Sequence, residues 1–286
     1  MEKRVAVVTG ANKGIGFGLV KALCQMFEGD VILTARDVLR GKSAVESLTL
    51  EGLHPKFHQL DVADIDSIVR LKVYLTENYG GLDILINNAG IYRNVTTEDA
   101  KSFAENVEDV IEINYFGSVN CFTVLRPLLR PHARVCNVSS MYAPLTIKKC
   151  SSYIVSKLID PGITLDQLSA VMKDYVQSAK DGSYLERGYT DEMYGFSKVG
   201  LSVATAVQQR ELDTSGAVDV LVNSCCPGYV KTDMNKLCGH LTVEEGIVNP
   251  LYCVMLPPNV NSPRGQMLRN KEPFDWVNYP MKSIEN

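Results

Sequence analysis

Two places in the chain set a tyrosine four residues ahead of a lysine: Tyr153-Ile-Val-Ser-Lys157 and Tyr194-Gly-Phe-Ser-Lys198. At that spacing both side chains share one face of a helix. An ammonium there stabilises a phenolate and makes the phenol a better acid near neutral pH. The two copies differ in the residues after the lysine. Lys157 is succeeded by Leu-Ile-Asp-Pro161-Gly162, which stops a helix within about a turn. After Lys198 the apolar residues Val199, Leu201, Val203, Ala206 and Val207 carry a helix on to about Leu212.

The elements around these pairs read as alternating strands and helices. Val5–Thr9 is a short apolar strand ending in Thr9-Gly-Ala-Asn-Lys-Gly-Ile-Gly16. Leu19, Val20, Leu23 and Phe27 follow at helical spacing. Strand, glycine turn and helix make a phosphate-binding turn, in which Gly10, Asn12, Lys13, Gly14, Ile15 and Gly16 let the backbone and the helix N-terminus approach a pyrophosphate. The second strand, Asp30–Ala35, ends in Arg36, with Arg40 a turn further on. Arginine at this strand end suits a ribose 2′-phosphate, where an acid suits the free hydroxyl. With Lys13 in the glycine turn, three cations favour NADP(H), and Asp37 is read as pointing away. A third strand, Pro55–Leu60, ends in Asp61-Val62. Asp61 either accepts the adenine amino group or caps the next helix, and the two roles are compatible. A helix over Ile65–Tyr79 and a strand over Leu82–Asn87 lead into the turn Asn88-Ala89-Gly90. This alternation predicts one doubly wound, Rossmann-type parallel sheet of seven strands, with ligands at the strand C-terminal ends.

Composition excludes other classes. With 45% hydrophobic and 22% charged residues the 286-residue chain has material for one large core, and a net charge of −4 leaves no basic footprint for nucleic acid. The N-terminus reads as no secretory signal, and no apolar run is long enough to span a membrane. The eight cysteines form no C-x-x-C pair and histidines are few. The expectation is therefore buried thiols in a reducing, cytoplasmic setting and no metal site.

Thr9-Gly-x3-Gly-Ile-Gly16, Asp61-Val62, Asn87-Asn-Ala-Gly90, Ile113-Asn114-Tyr-Phe-Gly, Asn137-Val-Ser-Ser140, Tyr194-x3-Lys198 and Pro227-Gly-Tyr-Val-Lys-Thr232 occur in that order. Together they resemble the short-chain dehydrogenases/reductases over nearly the whole chain. The phrases Leu-Thr-Ala-Arg-Asp-Val, Phe-His-Gln-Leu-Asp-Val, Tyr-Gly-Gly-Leu-Asp and Cys-Cys-Pro-Gly make the monomeric NADPH-dependent carbonyl reductases the nearest likeness.

The resemblance implies a catalytic set of Asn114, Ser140, Tyr194 and Lys198. Ser140 lies 13 residues before Tyr153, the usual family spacing, so distance alone would select Tyr153. The long helix that the family requires after its tyrosine follows only Tyr194, which places Tyr153 in an insertion at about 143–189. Within it, Leu165–Ala179 reads as a helix capped by Thr164 with Gln167 three residues on. In the family such insertions cover a dimer surface, which implies a monomer, and one reductase domain over residues 1–286. Asn114 is implied to bend its helix and hold a water beside Lys198.

The implied reaction reduces a small ketone, aldehyde or quinone with NADPH. Tyr194 donates the proton, Ser140 polarises the carbonyl, and Lys198 lowers the phenol's pKa and binds the nicotinamide ribose. Pro227, Gly228, Val230 and Thr232 are implied to close over the nicotinamide, beside Asp61, Val62, Asn88, Ala89 and Gly90. Tyr229 stands where many carbonyl reductases carry tryptophan, as a substrate wall, and Ile91–Lys101 forms another. Cys226 is either a reactive thiol at that mouth or a buried one, and Phe274 and Trp276 pack on the body. Steroid or prostaglandin oxidation is the alternative. An NADP(H)-sensing regulator without turnover is the more distant one, disfavoured because all four catalytic residues are present.

Overall fold

The computed structural model describes residues 3–93 and 101–280. The first strand, β1 (Val5–Val8), is wholly apolar and fully buried, as befits a central parallel strand covered on both faces. The chain continues through α1 (Gly14–Met26), β2 (Asp30–Ala35), α2 (Val38–Leu50), β3 (Lys56–Gln59), α3 (Ile65–Tyr79) and β4 (Leu82–Asn87). It then runs through α4 (Phe103–Ile111), a π-helical turn Glu112–Phe116, α5 (Gly117–Leu125) and β5 (Leu129–Val138). Next come α6 (Tyr142–Ile147), α7 (Ser152–Leu158), α8 (Leu165–Lys180) and α9 (Met193–Thr214). The chain closes with β6 (Leu221–Cys225), α10 (Val243–Gly246), α11 (Val248–Val254), β7 (Met267–Arg269) and β8 (Glu272–Pro273). Among the described residues no helix is long and apolar enough to cross a membrane.

The sheet order is β3-β2-β1-β4-β5-β6-β7-β8. Seven strands run parallel; β8 is an added antiparallel edge, paired through Leu268↔Pro273 and Arg269↔Glu272. Among the described residues the seven parallel strands are those expected, and β8 extends their sheet by an edge that was not foreseen. Strands of three and two residues turning through Asn270 and Lys271, both at positive φ, carry too little periodicity to read. Two further expectations can be compared with the fold. The helix that Asn114 is expected to bend is interrupted there by the π-helical turn. The cap of α3 is Asp64, whose side chain accepts from Asp66 N, not Asp61.

Three buried clusters fill the layers. One lies under α1 and α11, one under α3 and α5, and the third around α9. In this third cluster the inserted helices meet the sheet's covering helices: Ile154 and Leu158 of α7 and Leu168, Met172 and Tyr175 of α8 pack with Phe196, Val199, Val203 and Val207 of α9. The Thr164–Gln167 capping box that starts α8 is formed in both directions, at 3.0 and 3.2 Å. The C-terminal tail lies over this region. Trp276 packs on the third cluster, Lys148 of the insertion bonds the Tyr279 carbonyl, and Arg269 of β7 bonds the Tyr279 hydroxyl.

Candidate active site

The glycine turn after β1 is held open to a ligand by close packing beneath it. Gly10 adopts φ +62°, and a Cβ there would stand 2.8 Å from Ala89 Cα. A Cβ on Gly16 would stand 2.6 Å from both the Asn88 side chain and Gly10 O. Thr9 ties the two turns together: its hydroxyl accepts from Asn88 N and Ala89 N, each at 2.9 Å, while Asn88 Nδ2 donates to Thr9 O and Gly10 O. The amides at the start of α1 have no side-chain cap, because the residue in the capping position is Lys13. They are free to receive an anion. Asn12 and Ile15 complete the turn, half-buried.

Arg36, just past β2, and Arg40, in the first turn of α2, are exposed, and among the described residues neither guanidinium meets a carboxylate. Asp37 caps α2 by accepting from Arg40 N at 2.8 Å. Lys13 is differently placed from the expected three-cation cluster: its ammonium pairs with Asp233 at 2.8 Å, both groups exposed. That pair lays the segment after β6 against the glycine turn, where the Thr232 methyl would lie 3.3 Å from a Cβ on Gly14. Within this segment Pro227 is half-buried, Gly228 takes φ +86°, Val230 is buried and bridges to Leu241, and Tyr229 is exposed beside the His240 ring. Asp61 accepts from Ala63 N at 3.1 Å, and Val62 packs under Gly117.

Ser140, Tyr194 and Lys198 meet at the C-terminal end of β5. Lys198 is buried, donates to Val138 O at 2.8 Å and lies 5.6 Å from the Tyr194 ring centre. Burial is what chiefly lowers its pKa, to about 8. Burial also pushes the Tyr194 phenol above its ordinary value, with the Ser140 hydroxyl pulling the other way. Within the chain's own groups desolvation outweighs the stabilising contact that Ser140 makes. Two tyrosines flank Tyr194 edge-on, Tyr92 of the expected Ile91–Lys101 wall at 5.2 Å and Tyr142, which the sequence reading did not single out, at 5.6 Å between ring centres. Tyr142 adjoins the Asn137–Ser140 motif, the signal that could have found it. Of the Ile91–Lys101 wall, residues 94–100 lie outside the described residues.

Asn114 sits in the π-helical turn, fully buried. Its side chain accepts from Ile91 N at 2.8 Å and donates to Ile91 O and Ser197 Oγ. It thereby joins the loop after β4 to α9. A Cβ on Gly90 would lie 3.2 Å from Asn114 Oδ1 and 3.7 Å from Lys198 Nζ, so Asn114 and Lys198 face one spot that glycine leaves empty. Interruptions of this kind mark functional places in helices.

Behind the site a polar ladder fixes α9 on the sheet. Asn87 donates to Asn137, and Asn137 donates to Thr205 and Gln208, at 2.9–3.0 Å. Ser139 and Ser202 bond at 2.8 Å, and Ser202 donates to the Lys198 carbonyl. The rival pair is elsewhere. Tyr153 is 62% exposed on the seven-residue α7, with the Lys157 ammonium stacked 4.2 Å from its ring. Cys226 is buried; its sulfur accepts from Met141 N and Gly228 N, yet burial raises its pKa, favouring the inert thiol of the two readings.

The family model described as short chain dehydrogenase matches residues 4–167. Over 274 residues the chain is 43% identical to Carbonyl reductase (NADPH) 3 of Rattus norvegicus, covering 96% of this chain and 98% of that protein. It is 42% identical to Carbonyl reductase (NADPH) 1 of Homo sapiens over 273 residues, covering 95% and 98%. Among solved structures, salutaridine reductase from Papaver somniferum matches with a TM-score of 0.81 at 30% identity, covering 93% of this chain and 99% of that one.

Proposed function

Since the chain belongs to the short chain dehydrogenase family, we propose that it is an NADPH-dependent carbonyl reductase whose proton donor is Tyr194. The observation that carries the proposal is the meeting of Ser140, Tyr194 and Lys198 at one strand end, beside a glycine turn whose helix amides are uncapped. The residues suit NADPH. Gly10 and Gly16 leave room that any side chain would fill, and Arg36 and Arg40 supply cations for a 2′-phosphate. Bound there, NADPH supplies the hydride.

The protein's own groups handle the charge that develops on the carbonyl oxygen. Ser140 donates a hydrogen bond to it, and Tyr194 gives it a proton. Burial holds the phenol in its protonated form, ready to donate, and the cations favouring NADP(H) support reduction as the working direction. Lys198, pinned through one N–H to Val138 O, keeps two N–H bonds for cofactor hydroxyls and water. Asn114 shapes the passage through which that water restores the proton. Tyr92, Tyr142 and Tyr229 wall the approach.

The enzyme works as a single-domain monomer in the cytoplasm, without nucleic acid or membrane partners. Its insertion covers α9, which supports the monomer. A solution mass near 31.6 kDa is the expected result. The function is tested by following loss of reduced nicotinamide absorbance with NADPH and with NADH, each against a quinone, an aromatic aldehyde, a prostaglandin and a ketosteroid. Equal rates with the two cofactors, or turnover of none of the four carbonyls, would overturn it.

A further inference from the structure

Away from the catalytic crevice, three cysteines distant in sequence come together. Cys136 of β5, Cys225 of β6 and Cys253 of α11 place their sulfurs within 4.8 Å of one another, and each residue is 0% exposed. The Cys136 and Cys225 sulfurs are 3.6 Å apart. Their surroundings, including Val8, Ile86, Val138 and Val254, are apolar.

The geometry bears on what the trio can do. Cys136 stands opposite Asn223 and Cys225 opposite Val138, so the two cysteines are diagonal neighbours on adjacent strands. With parallel strands about 4.8 Å apart and rising about 3.3 Å per residue, a two-residue offset sets the Cα atoms roughly 8 Å apart, beyond the roughly 7 Å that a disulfide bridges without backbone movement. A central atom that keeps a lone pair and holds three sulfurs at about 2.3 Å in a pyramid needs them roughly 3.4 Å apart, close to the 3.6 Å between Cys136 and Cys225 and reached by a short inward movement of the third sulfur, which lies within 4.8 Å of both. Zinc requires a fourth ligand, and among the described residues the cluster has three.

Charge then selects the ion. Three thiolates around a monovalent ion leave two negative charges in a dry core, and around a divalent ion one. Either is costly without a counter-charge. A trivalent thiophile leaves none. We propose that Cys136, Cys225 and Cys253 form a binding site for trivalent arsenic, taken up as arsenous acid. Three S–H bonds and three As–O bonds break, three As–S bonds form, and three waters leave; no electron is transferred. Entry requires the short helix α11 to lift from the sheet, so uptake is slow and the bound state ties α11 to β5 and β6.

The test is arsenic X-ray absorption on the full chain incubated with arsenite and a non-thiol reductant, together with native mass spectrometry. The expected result is one arsenic gained for three hydrogens lost, with three sulfur neighbours and no oxygen. Cys253→Ala should exchange one sulfur neighbour for oxygen, while Cys238→Ser, at an exposed cysteine, should change nothing. An oxygen-ligated arsenic in the parent protein, or three sulfurs retained in Cys253→Ala, would overturn the site. Should that variant fail to fold, amide exchange on the parent protein decides. Arsenite should slow exchange across Val248–Val254 and the ends of β5 and β6, and unchanged exchange there refutes the proposal.

Discussion

Replacing Lys198 with methionine should make the cofactor-free protein more stable while destroying its activity. The lysine is buried with one described partner, the Val138 carbonyl, and burial holds its pKa near 8 against an ordinary 10.5. That difference corresponds to about 3 kcal/mol of penalty on the folded state when the group is charged. Methionine removes the charge and fills similar space, but leaves the carbonyl short of a donor, which costs ~1 kcal/mol. The net expectation is a gain of about 2 kcal/mol at neutral pH.

The pH dependence gives the sign check. Between the two pKa values the unfolded chain binds more protons than the folded one, so wild-type stability rises with pH there. The variant's advantage should be full below pH 8 and shrink as pH climbs toward 10.5. By about pH 9.5 it should have fallen by ~2 kcal/mol. Urea unfolding of both proteins without cofactor, at neutral and alkaline pH, measures this directly. A variant less stable than wild type at every pH, or a gap that ignores pH, would refute the reasoning.

Other perturbations probe the remaining parts. Tyr194→Phe should lower turnover by roughly 10²–10⁴-fold with NADPH affinity kept, whereas Tyr153→Phe should leave steady-state kinetics unchanged; the reverse pattern would relocate the site. Arg36→Ala and Arg40→Ala should each weaken NADPH binding by about ten- to a hundredfold, leaving NADH unaffected, as read by fluorescence titration. Gly195→Ala places a Cβ 1.8 Å from Thr146 Oγ1 and should cost about 1–3 kcal/mol in urea unfolding by prising α6 from α9. Asp219→Ala strips the buried Arg134 guanidinium of its carboxylate, 3.0 Å away; a loss of about 3 kcal/mol is expected in the same assay.

What could be read in advance was what depends on local order. Pro161-Gly162 marks the end of a helix in any fold, and α7 does stop at Leu158. Strand-and-turn punctuation likewise places α3 and β4 to the residue. Contacts made only by folding were not legible. Nothing in Ile113-Asn114-Tyr115 distinguishes a π-helical turn from a regular one. Polar residues such as Asn137 and Thr205 signalled no partner until β5 and α9 lay together. Cysteines 136, 225 and 253 share no spacing, so the expectation of no metal site, drawn from sequence intervals, could not register them. The phenol's raised pKa depends on how deeply neighbours bury it, which no motif records.

The tail contact at Tyr279 bears on how the molecule is made. The strands β3, β2, β1 and β4 are all available once the first 87 residues have been synthesised, and can assemble while the rest is still being translated. The layer around α9 has no such freedom. Trp276, Arg269 and Tyr279, to which Lys148 and Arg269 bond, follow α9 by more than fifty residues and are not yet exposed when α6 to α9 emerge. The helix that carries Tyr194 and Lys198 therefore waits, with part of its apolar cover missing, until the segment through Tyr279 has emerged. The nascent protein is most dependent on chaperones in that interval, and a truncation that spares every catalytic residue would prolong it indefinitely.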